Sequence, residues 1–252
     1  DQLREYFLFL RQHKRYGGSA MNLARASLRA FYRDCLKRAE WTVFQEVQIR
    51  RAEPLPFVLS RDEVARVLAA VREPRFRTCL RLIYQCGLRV GETVRIEVAH
   101  IDGAGQRIHV RFGKGGKDRY VPLVAGMVAE LRLWWKTHRH PRFLFPSPGR
   151  GWADRSCSLS QAMQTASAPM SVSSVQMAFR LARAASGIKS AATVHTLRHS
   201  YATHMLEEGT SIRSLSAYLG HESLDTTAVY LHLTAVSEAK TRTALETLHR
   251  AI

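Results

Sequence analysis

Apolar residues recur at intervals of three and four over most of the chain, which predicts a mainly helical fold. The first fifty residues hold two such segments, one through Phe7 and one from Met21 to Leu36. A Tyr-Gly-Gly-Ser sequence separates them, and its last residue, Ser19, is the predicted N-cap of the second helix. Basic residues lie between the apolar positions of that helix, and we interpret them as a stripe that faces phosphates rather than only water. They are Arg25, Arg29, Arg33, Lys37 and Arg38.

A proline-rich stretch, residues 50–56, is the predicted linker between an amino-terminal domain, 1–49, and a larger domain, 57–252. Directly after it, Ser60 and Glu63 have the spacing of a capping box, which predicts the start of a helix. The next helix carries Leu80 to Tyr84 and ends near Gly87.

Alternating apolar and polar residues predict one β-hairpin, with Ile108, Val110 and Phe112 on the first strand and Tyr120 to Leu123 on the second. Residues 113–117 form its glycine-rich tip. Helical patterns then return, and only the Ser-rich region 146–169 reads as a loop with a helical turn. The fold class is therefore mainly α with a small antiparallel β-sheet. The later predicted helices lie at Leu131–Trp135, Ser171–Gly187, Thr193–Gly209, Ser211–Leu219, Asp225–Leu231 and, at the terminus, around Leu245, Leu248 and Ile252.

The charge of the chain indicates a polyanionic partner. Its 252 residues carry 38 Lys and Arg against 21 Asp and Glu, a net charge of +17. Because lysine and arginine displace counterions from phosphates, nucleic acid is favoured over an acidic membrane surface or the ribosome. Both halves are basic, with eleven Lys and Arg against six Asp and Glu up to Pro56. A protein that closes around a duplex needs basic residues in both halves.

Other features exclude further classes of protein. No window approaches the roughly 18 uninterrupted apolar residues that a membrane helix needs, and Arg or Gln breaks the longest apolar stretches. The four cysteines show no Cys-x-x-Cys pair and no paired spacing, which argues against a zinc site or a disulfide framework. With no leader sequence evident, we expect a reducing cytosol. The chain begins at Asp1 inside a predicted helix, so we expect it to be a fragment.

Two patterns combine basic residues with glycine. Arg89 lies between glycines at the end of an apolar helix. Taken alone, this pattern slightly favours an internal ion pair of Arg89 with Glu92 over a ligand site. The Gly-Lys-Gly-Gly-Lys tip contains Lys114 and Lys117 but lacks the Gly-Lys-Ser/Thr ending of a nucleotide-binding loop. Turn geometry and solubility alone would account for it.

The strongest local pattern is His195-Thr-Leu-Arg198-His199, whose three polar residues share one face of a helix. A zinc site is disfavoured because the Glu of His-Glu-x-x-His is absent and an arginine lies between the histidines. We favour an anion among these side chains over a packed core histidine. Farther along, Leu-Gly-His221 is followed nine residues later by Tyr230. Taken by itself, Tyr230 is most simply interpreted as a core residue.

Taken together, two arginines, a lysine and two histidines can neutralise a phosphodiester as negative charge develops on it. A tyrosine hydroxyl beside them becomes a candidate nucleophile, and we expect the surrounding cations to favour its ionised form. The order Arg, Lys, His-x-x-Arg, His and Tyr resembles the tyrosine recombinase (phage integrase) family over essentially the whole chain.

That resemblance implies a two-domain, C-shaped clamp with a helical, SAM-like core-binding domain, here truncated by about one helix, and a catalytic domain. It implies cleavage and rejoining of double-stranded DNA through a 3′-phosphotyrosyl intermediate, with no metal and no cofactor. It also implies a homotetramer on two synapsed sites, with the terminal helix exchanged between protomers. By position, Arg89 and Arg198 hold the scissile phosphate, Lys114 is the general acid and Tyr230 the nucleophile.

The remaining roles follow from the same resemblance. His195 orients or deprotonates the nucleophile, His221 donates a hydrogen bond to the phosphate, and Glu92 and His199 support the site. DNA contacts are expected from Lys117 and from the basic stripe of the second helix. Two alternatives stay open: a type IB topoisomerase, which shares the catalytic residues, and a DNA-binding protein that has lost activity. The sequence leaves open the target site, the biological role and any accessory proteins.

Overall fold

Helices dominate the structure, a computed structural model in which residues 2–38, 56–111, 118–149, 151–152, 156–231, 246–247 and 249–250 are described. The chain divides into two compact units, Asp1–Pro54 and Leu55–Ile252. The exact limits proposed for the linker stay a prediction, because most of residues 50–56 lie outside the described part of the chain.

The first unit contains two described α-helices, α1 at Gln2–Gln12 and α2 at Gly18–Ala30. Phe7 and Leu10 of α1 pack with Met21 of α2, and all three side chains are buried. This pairing confirms the helical period that the apolar residues predict.

The start of α2 differs from the sequence prediction. The helix begins at Gly18 with Gly17 as its N-cap, so the prediction that Ser19 caps it is wrong. Gly17 has extended backbone and no side chain, and glycine is itself a favourable N-cap residue. The Tyr-Gly-Gly-Ser break therefore extends less far along the chain than the sequence suggested.

The second unit is built mainly from helices, and none described is both long and apolar enough to cross a membrane. In chain order they are α3 at Arg61–Ala69, α4 at Pro74–Cys86, α5 at Val90–Val94, α6 at Ala125–His138, α7 at Leu159–Gln164, α8 at Val172–Ala185, α9 at Val194–Glu207, α10 at Ile212–Leu219 and α11 at Asp225–Ala228.

A small antiparallel sheet has the strand order β1-β2-β3. Its strands are β1 at Ile101–Asp102, β2 at Arg107–Val110 and β3 at Arg119–Pro122. Ile108 lies opposite Val121, and both side chains are fully buried. The predicted hairpin is thus confirmed, although Phe112 and the tip at 113–117 lie outside the described residues. β1 was not predicted because two residues are too few to show alternation.

Local signals fixed several helix ends. Ser60 and Glu63 form the predicted capping box at the start of α3, with bonds of 3.2 and 2.9 Å. Gly187 lies just beyond α8 with φ +73, as expected of a residue that ends a helix. The Ser-rich region holds the predicted helical turn as α7, which Ser158 caps.

α4 and α9 pack against each other through Gly87, which ends α4. Gly87 has φ +60, a backbone conformation that side chains disfavour, and a Cβ there would collide with the ring of Tyr201 on α9. Cys79 and Cys86 on α4 are buried and free. α11 ends at Ala228, so Tyr230 lies in the turn that follows rather than within a helix to Leu231.

Candidate active site

Arg198 is at the centre of a cluster of polar side chains in the second unit. It projects from α9 and is only 2% exposed. Its guanidinium donates to the carbonyls of Gly87 (2.7 Å) and Leu219 (2.8 Å) and to Nε2 of His221 (3.0 Å). All three acceptors are neutral, so these bonds hold the guanidinium in place without cancelling its charge. Burial, then the charge of Arg89, lowers the pKa of Arg198 to about 10, which leaves it charged near pH 7.

Arg89 is held beside this centre by Glu92. Arg89 is the N-cap of α5, and its Nη1 donates to Oε1 of Glu92 at 2.8 Å while its backbone N–H donates to Oε2 at 2.9 Å. The ion pair that the sequence suggested is therefore present. The Arg89 side chain is 27% exposed, so one side of its guanidinium stays open to a ligand.

A third arginine, Arg119 at the start of β3, joins this cluster, and the sequence analysis missed it. Its Nη1 and Nη2 donate to both oxygens of Glu92, at 3.0 and 2.7 Å, and its Nε donates to the carbonyl of Tyr218 at 2.8 Å. One signal was available: strand alternation places Arg119 on the same face as the buried Val121. A charged residue on a core-facing position indicates a buried partner.

Glu92 is a carboxylate shared by two arginines. Burial would raise its pKa, but the hydrogen bonds and charges of Arg119 and then of Arg89 outweigh this and hold the pKa at about 2. Glu92 is therefore ionised near pH 7. Its charge stays fixed between the two guanidinium groups.

Tyr230 is 4% exposed, and its hydroxyl is 2.8 Å from Nδ1 of His199. Burial, with the charges of His195 and Arg198, lowers the pKa of His199 to about 4. The imidazole is therefore neutral near pH 7. In the tautomer with its proton on Nε2, Nδ1 accepts the hydrogen bond from the tyrosine hydroxyl. The group in direct contact with the candidate nucleophile is thus His199, which the sequence analysis had assigned a supporting role.

His195 is one step away from the hydroxyl. Its ring meets the ring of His199 edge to face, with centroids 4.6 Å apart and planes at 77°. It is more exposed than His199, and partial burial, followed by the charges of Arg198 and Arg89, lowers its pKa. In this structure the contact of His195 with Tyr230 therefore runs through His199.

His221 lies between Arg198 and a buried threonine that the sequence analysis did not identify. Because Arg198 can only donate, Nε2 of His221 accepts, and Nδ1 carries the proton that it donates to Oγ1 of Thr227 at 2.8 Å. Burial and then the neighbouring arginines lower the pKa of His221 to about 4. The expected donor to a phosphate is thus an acceptor in this structure, and it becomes a donor at Nε2 by gaining a proton or by moving its proton from Nδ1 to Nε2.

The expectation that the arginines would bring the pKa of Tyr230 down is wrong for this structure. Arg198 and Arg89 do lower it, but burial has the larger effect, and the pKa of Tyr230 is raised. The hydroxyl therefore stays protonated near pH 7. Its activation depends on an acceptor for the proton rather than on prior ionisation.

The structure brings together Arg89, His195, Arg198, His221 and Tyr230, with Glu92 and His199 among them. Among the described residues of this cluster, three arginines and one carboxylate are charged near pH 7, a net charge of +2. Lys114 and Lys117 lie outside the described residues. The cluster can bind a phosphodiester and accept a proton from a buried tyrosine.

The expected DNA-binding residues of the first unit are only partly on one helix. Arg25 and Arg29 lie on α2, which continues into a π-helical turn at Phe31–Cys35. Lys37 follows that turn with φ +53, so the basic stripe does not extend regularly to it, contrary to the sequence prediction. Arg33 is exposed but is bonded to Asp34 at 2.7 and 2.9 Å.

Known proteins resemble this chain over most of its length. The sequence model of the phage integrase family matches residues 58–236. The protein y4qK of Sinorhizobium fredii, assigned by name to the integrases and recombinases, is 32% identical over 251 residues, which make up 99% of this chain and 76% of that protein. The tyrosine recombinase XerA of Pyrococcus horikoshii is 30% identical over 234 residues, 92% of this chain and 76% of XerA.

Among solved structures, a post-cleavage complex of the XerH site-specific recombinase bound to a palindromic difH substrate is similar with a TM-score of 0.72. The match covers 96% of this chain and 72% of XerH at 19% identity. At that identity the similarity is one of fold.

Proposed function

This chain belongs to the phage integrase family of tyrosine recombinases, and on that basis we propose that it is a site-specific DNA recombinase that cuts and rejoins strands through a 3′-phosphotyrosyl intermediate. One observation carries the proposal: the hydroxyl of the buried Tyr230 is bonded to a neutral imidazole, at 2.8 Å, inside a cluster of net positive charge.

The proposed cleavage step uses this contact directly. The oxygen of Tyr230 attacks the phosphorus as its proton passes to Nδ1 of His199. The bond from phosphorus to the 5′-oxygen breaks, and that oxygen takes a proton from Lys114, the expected general acid. A new 5′-hydroxyl then reverses these steps. Because the phosphotyrosyl bond stores the energy of the broken phosphodiester, rejoining requires neither ATP nor a metal.

The charge of the cluster suits the transition state better than the substrate. A phosphodiester carries one negative charge, and the transition state approaches two as the tyrosine oxygen joins the phosphorus. Arg89 and Arg198, with Glu92 and Arg119 behind them, present a net charge of +2 to this group. Fixed donors aimed at developing charge supply the largest part of catalysis in sites of this kind.

The partners follow from the same proposal. Double-stranded DNA is the substrate, and both units contact the duplex as a two-domain clamp, with Arg25, Arg29, Arg33, Lys37 and Lys117 toward the phosphates. Rejoining strands of two duplexes requires a protomer on each of four half-sites, hence a homotetramer. We propose that the terminal helix links neighbouring protomers and that the enzyme acts in the cytoplasm.

The first test asks whether Tyr230 becomes covalently attached to DNA. A supercoiled plasmid that carries the DNA flanking the gene is incubated with the protein, and the reaction is stopped with SDS. We expect protein-linked DNA with the wild-type chain and none with Tyr230→Phe. Recombinant products, rather than relaxed plasmid alone, distinguish a recombinase from a topoisomerase. A covalent complex that persists in Tyr230→Phe would show that another residue is the nucleophile.

The same assay distinguishes the two histidines. His199→Leu should slow formation of the complex by about 100-fold or more, because it removes the proton acceptor. His195→Leu should have the smaller effect, since its ring contacts His199 and not the hydroxyl. The reverse order would give His195 the direct role that the family resemblance implies.

A further inference from the structure

From these contacts we infer that Arg119 is a positioning residue of the reaction, which keeps the charge of Arg89 available to the scissile phosphate and fixes the segment that carries His221. The inference rests on the proposed function. Arg119 does not touch the reacting atoms in this scheme. It acts through Glu92 on one side and through the end of α10 on the other.

The first link is the carboxylate that two arginines share. Oε1 of Glu92 accepts from Arg89 at 2.8 Å and from Arg119 at 3.0 Å. Oε2 accepts from the backbone N–H of Arg89 at 2.9 Å and from Arg119 at 2.7 Å. Without Arg119, Glu92 would form its ion pair with Arg89 alone. That arginine would then be neutralised internally rather than by the phosphate.

The second link is the end of α10. Arg119 holds the carbonyl of Tyr218 and Arg198 holds that of Leu219, both at 2.8 Å. These are consecutive carbonyls, and Gly220 and His221 follow immediately. The two arginines therefore fix the backbone from which His221 projects toward Nη2 of Arg198.

Gly220 makes the close approach of Arg119 possible. It ends α10 with φ +64, and a Cβ there would lie 3.0 Å from Cδ of Arg119 and 3.1 Å from its Nη1. Any other residue would be strained by this backbone conformation and would push the guanidinium away. Gly220 and Arg119 thus fit together directly beside a site residue.

Arginine is suited to this place for a geometric reason. Arg119 makes two parallel bonds to Glu92 and a third, from Nε, to the carbonyl of Tyr218. A lysine ammonium has charge but no planar fork, so it cannot make this set of bonds. The side chains of Arg119 and Glu92 are each 9% exposed, which makes their bonds stronger than those of a surface pair.

A merely structural ion pair would predict different behaviour from a positioning residue. If the pair only stabilised the fold, losing either partner would lower stability and leave the activity of folded molecules unchanged. If Arg119 balances Glu92, activity must follow the net charge of the cluster. That charge is +2 in the wild type, +1 in Arg119→Met, and +2 again when Arg119→Met is combined with Glu92→Gln.

The experiment is a double-mutant cycle on the rate of covalent complex formation at saturating DNA. We expect Arg119→Met to slow it by about 100-fold with little change in the Kd for DNA. Arg119→Lys should form the complex about tenfold more slowly than the wild type, since lysine keeps the charge but not the planar guanidinium. The double variant should recover at least about tenfold relative to Arg119→Met. A double variant as slow as Arg119→Met, or slower, would overturn the inference.

A matched control variant tests whether the effect is specific to Arg119. Arg107→Met makes the same chemical change on β2, where Arg107 is 54% exposed and pairs with Asp102 at 2.9 Å, and it should leave the rate within about twofold. Thermal unfolding of each variant confirms that the folded state is being compared.

The second measurement is binding of inorganic phosphate to the full chain, followed through the imidazole NMR signals of His221. Arg119→Met should weaken it by about tenfold, and adding Glu92→Gln should restore it. If the wild-type chain forms no covalent complex, the proposed function fails. The phosphate affinities of the variants alone then test the inference about Arg119. Equal phosphate affinity in all variants would overturn the inference.

Discussion

His199 and His221 are held neutral near pH 7, since burial and neighbouring positive groups lower the pKa of each ring to about 4. The neutral form is what lets His199 accept a proton from Tyr230 and His221 accept a bond from Arg198. A bound phosphate would partly cancel the charge of the arginines and so raise both pKa values. DNA binding and proton uptake are therefore coupled at these residues.

The same residues predict how stability depends on pH. In the unfolded chain a histidine has a pKa near 6.5, whereas His199 and His221 have theirs at about 4 in the folded chain. Between these values the unfolded state binds more protons, so the free energy of unfolding should fall as the pH is lowered from about 6.5 to about 4. Glu92 has a pKa of about 2 in the folded chain against about 4.3 in the unfolded chain, so it adds to this loss only at the lower end of the window.

Urea unfolding at several pH values within this window measures the effect. Replacing His199 and His221 together by Asn should flatten the dependence. Part of it should remain, because burial also lowers the pKa of His138 to about 4. An unchanged dependence in the double variant would show that other groups are responsible.

Among the elements, the junction of α4 with α9 has a strict geometric requirement. Gly87 combines φ +60, a carbonyl that accepts from Arg198 at 2.7 Å, and contact with the ring of Tyr201. Helix packing and the position of the central arginine are thus set at one residue. A change there should affect stability and activity together.

We expect Gly87→Ala to lower the free energy of unfolding by about 2 to 4 kcal/mol, from left-handed backbone strain and displacement of Tyr201. Gly126→Ala is the matched control. Gly126 lies in α6 with open space where a Cβ would be, so this change should be neutral or stabilise by up to about 1 kcal/mol. Equal effects of the two substitutions in urea unfolding would contradict the role given to Gly87.

At the scale of the whole molecule, charge is distributed over both units, and most of the net charge of +17 lies outside the active-site cluster. Such residues attract and hold DNA phosphates without taking part in the chemistry. DNA affinity should therefore fall steeply with salt, while the rate at saturating DNA should not.

Arg29 and Arg33 provide a matched pair to test this. Arg29→Gln should reduce the slope of log Kd against log salt by about 1, as loss of one phosphate contact does. Arg33→Gln should have a smaller effect, because Asp34 already pairs with Arg33. Titrations of a DNA duplex at several salt concentrations measure both slopes. An unaltered slope in Arg29→Gln would show that this part of α2 does not contact phosphates.

The sequence by itself determined the features that depend on neighbours along the chain. Helical periods, the capping box at Ser60 and the end of α4 at Gly87 each arise within a few residues. The ion pair of Arg89 with Glu92 is of this kind as well, at a separation of three residues. The order of the site residues was equally legible, and it indicated the family to which the comparisons assign the chain.

Only the tertiary structure decided which site residues touch. The bond of Arg119 to Tyr218 joins residues 99 apart, and that of His199 to Tyr230 joins residues 31 apart. These contacts depend on how β3, α9, α10 and the turn after α11 pack, which no local pattern specifies. The protonation of Tyr230 was decided in the same way, because burial, a property of the whole fold, outweighs the arginines that the sequence displays.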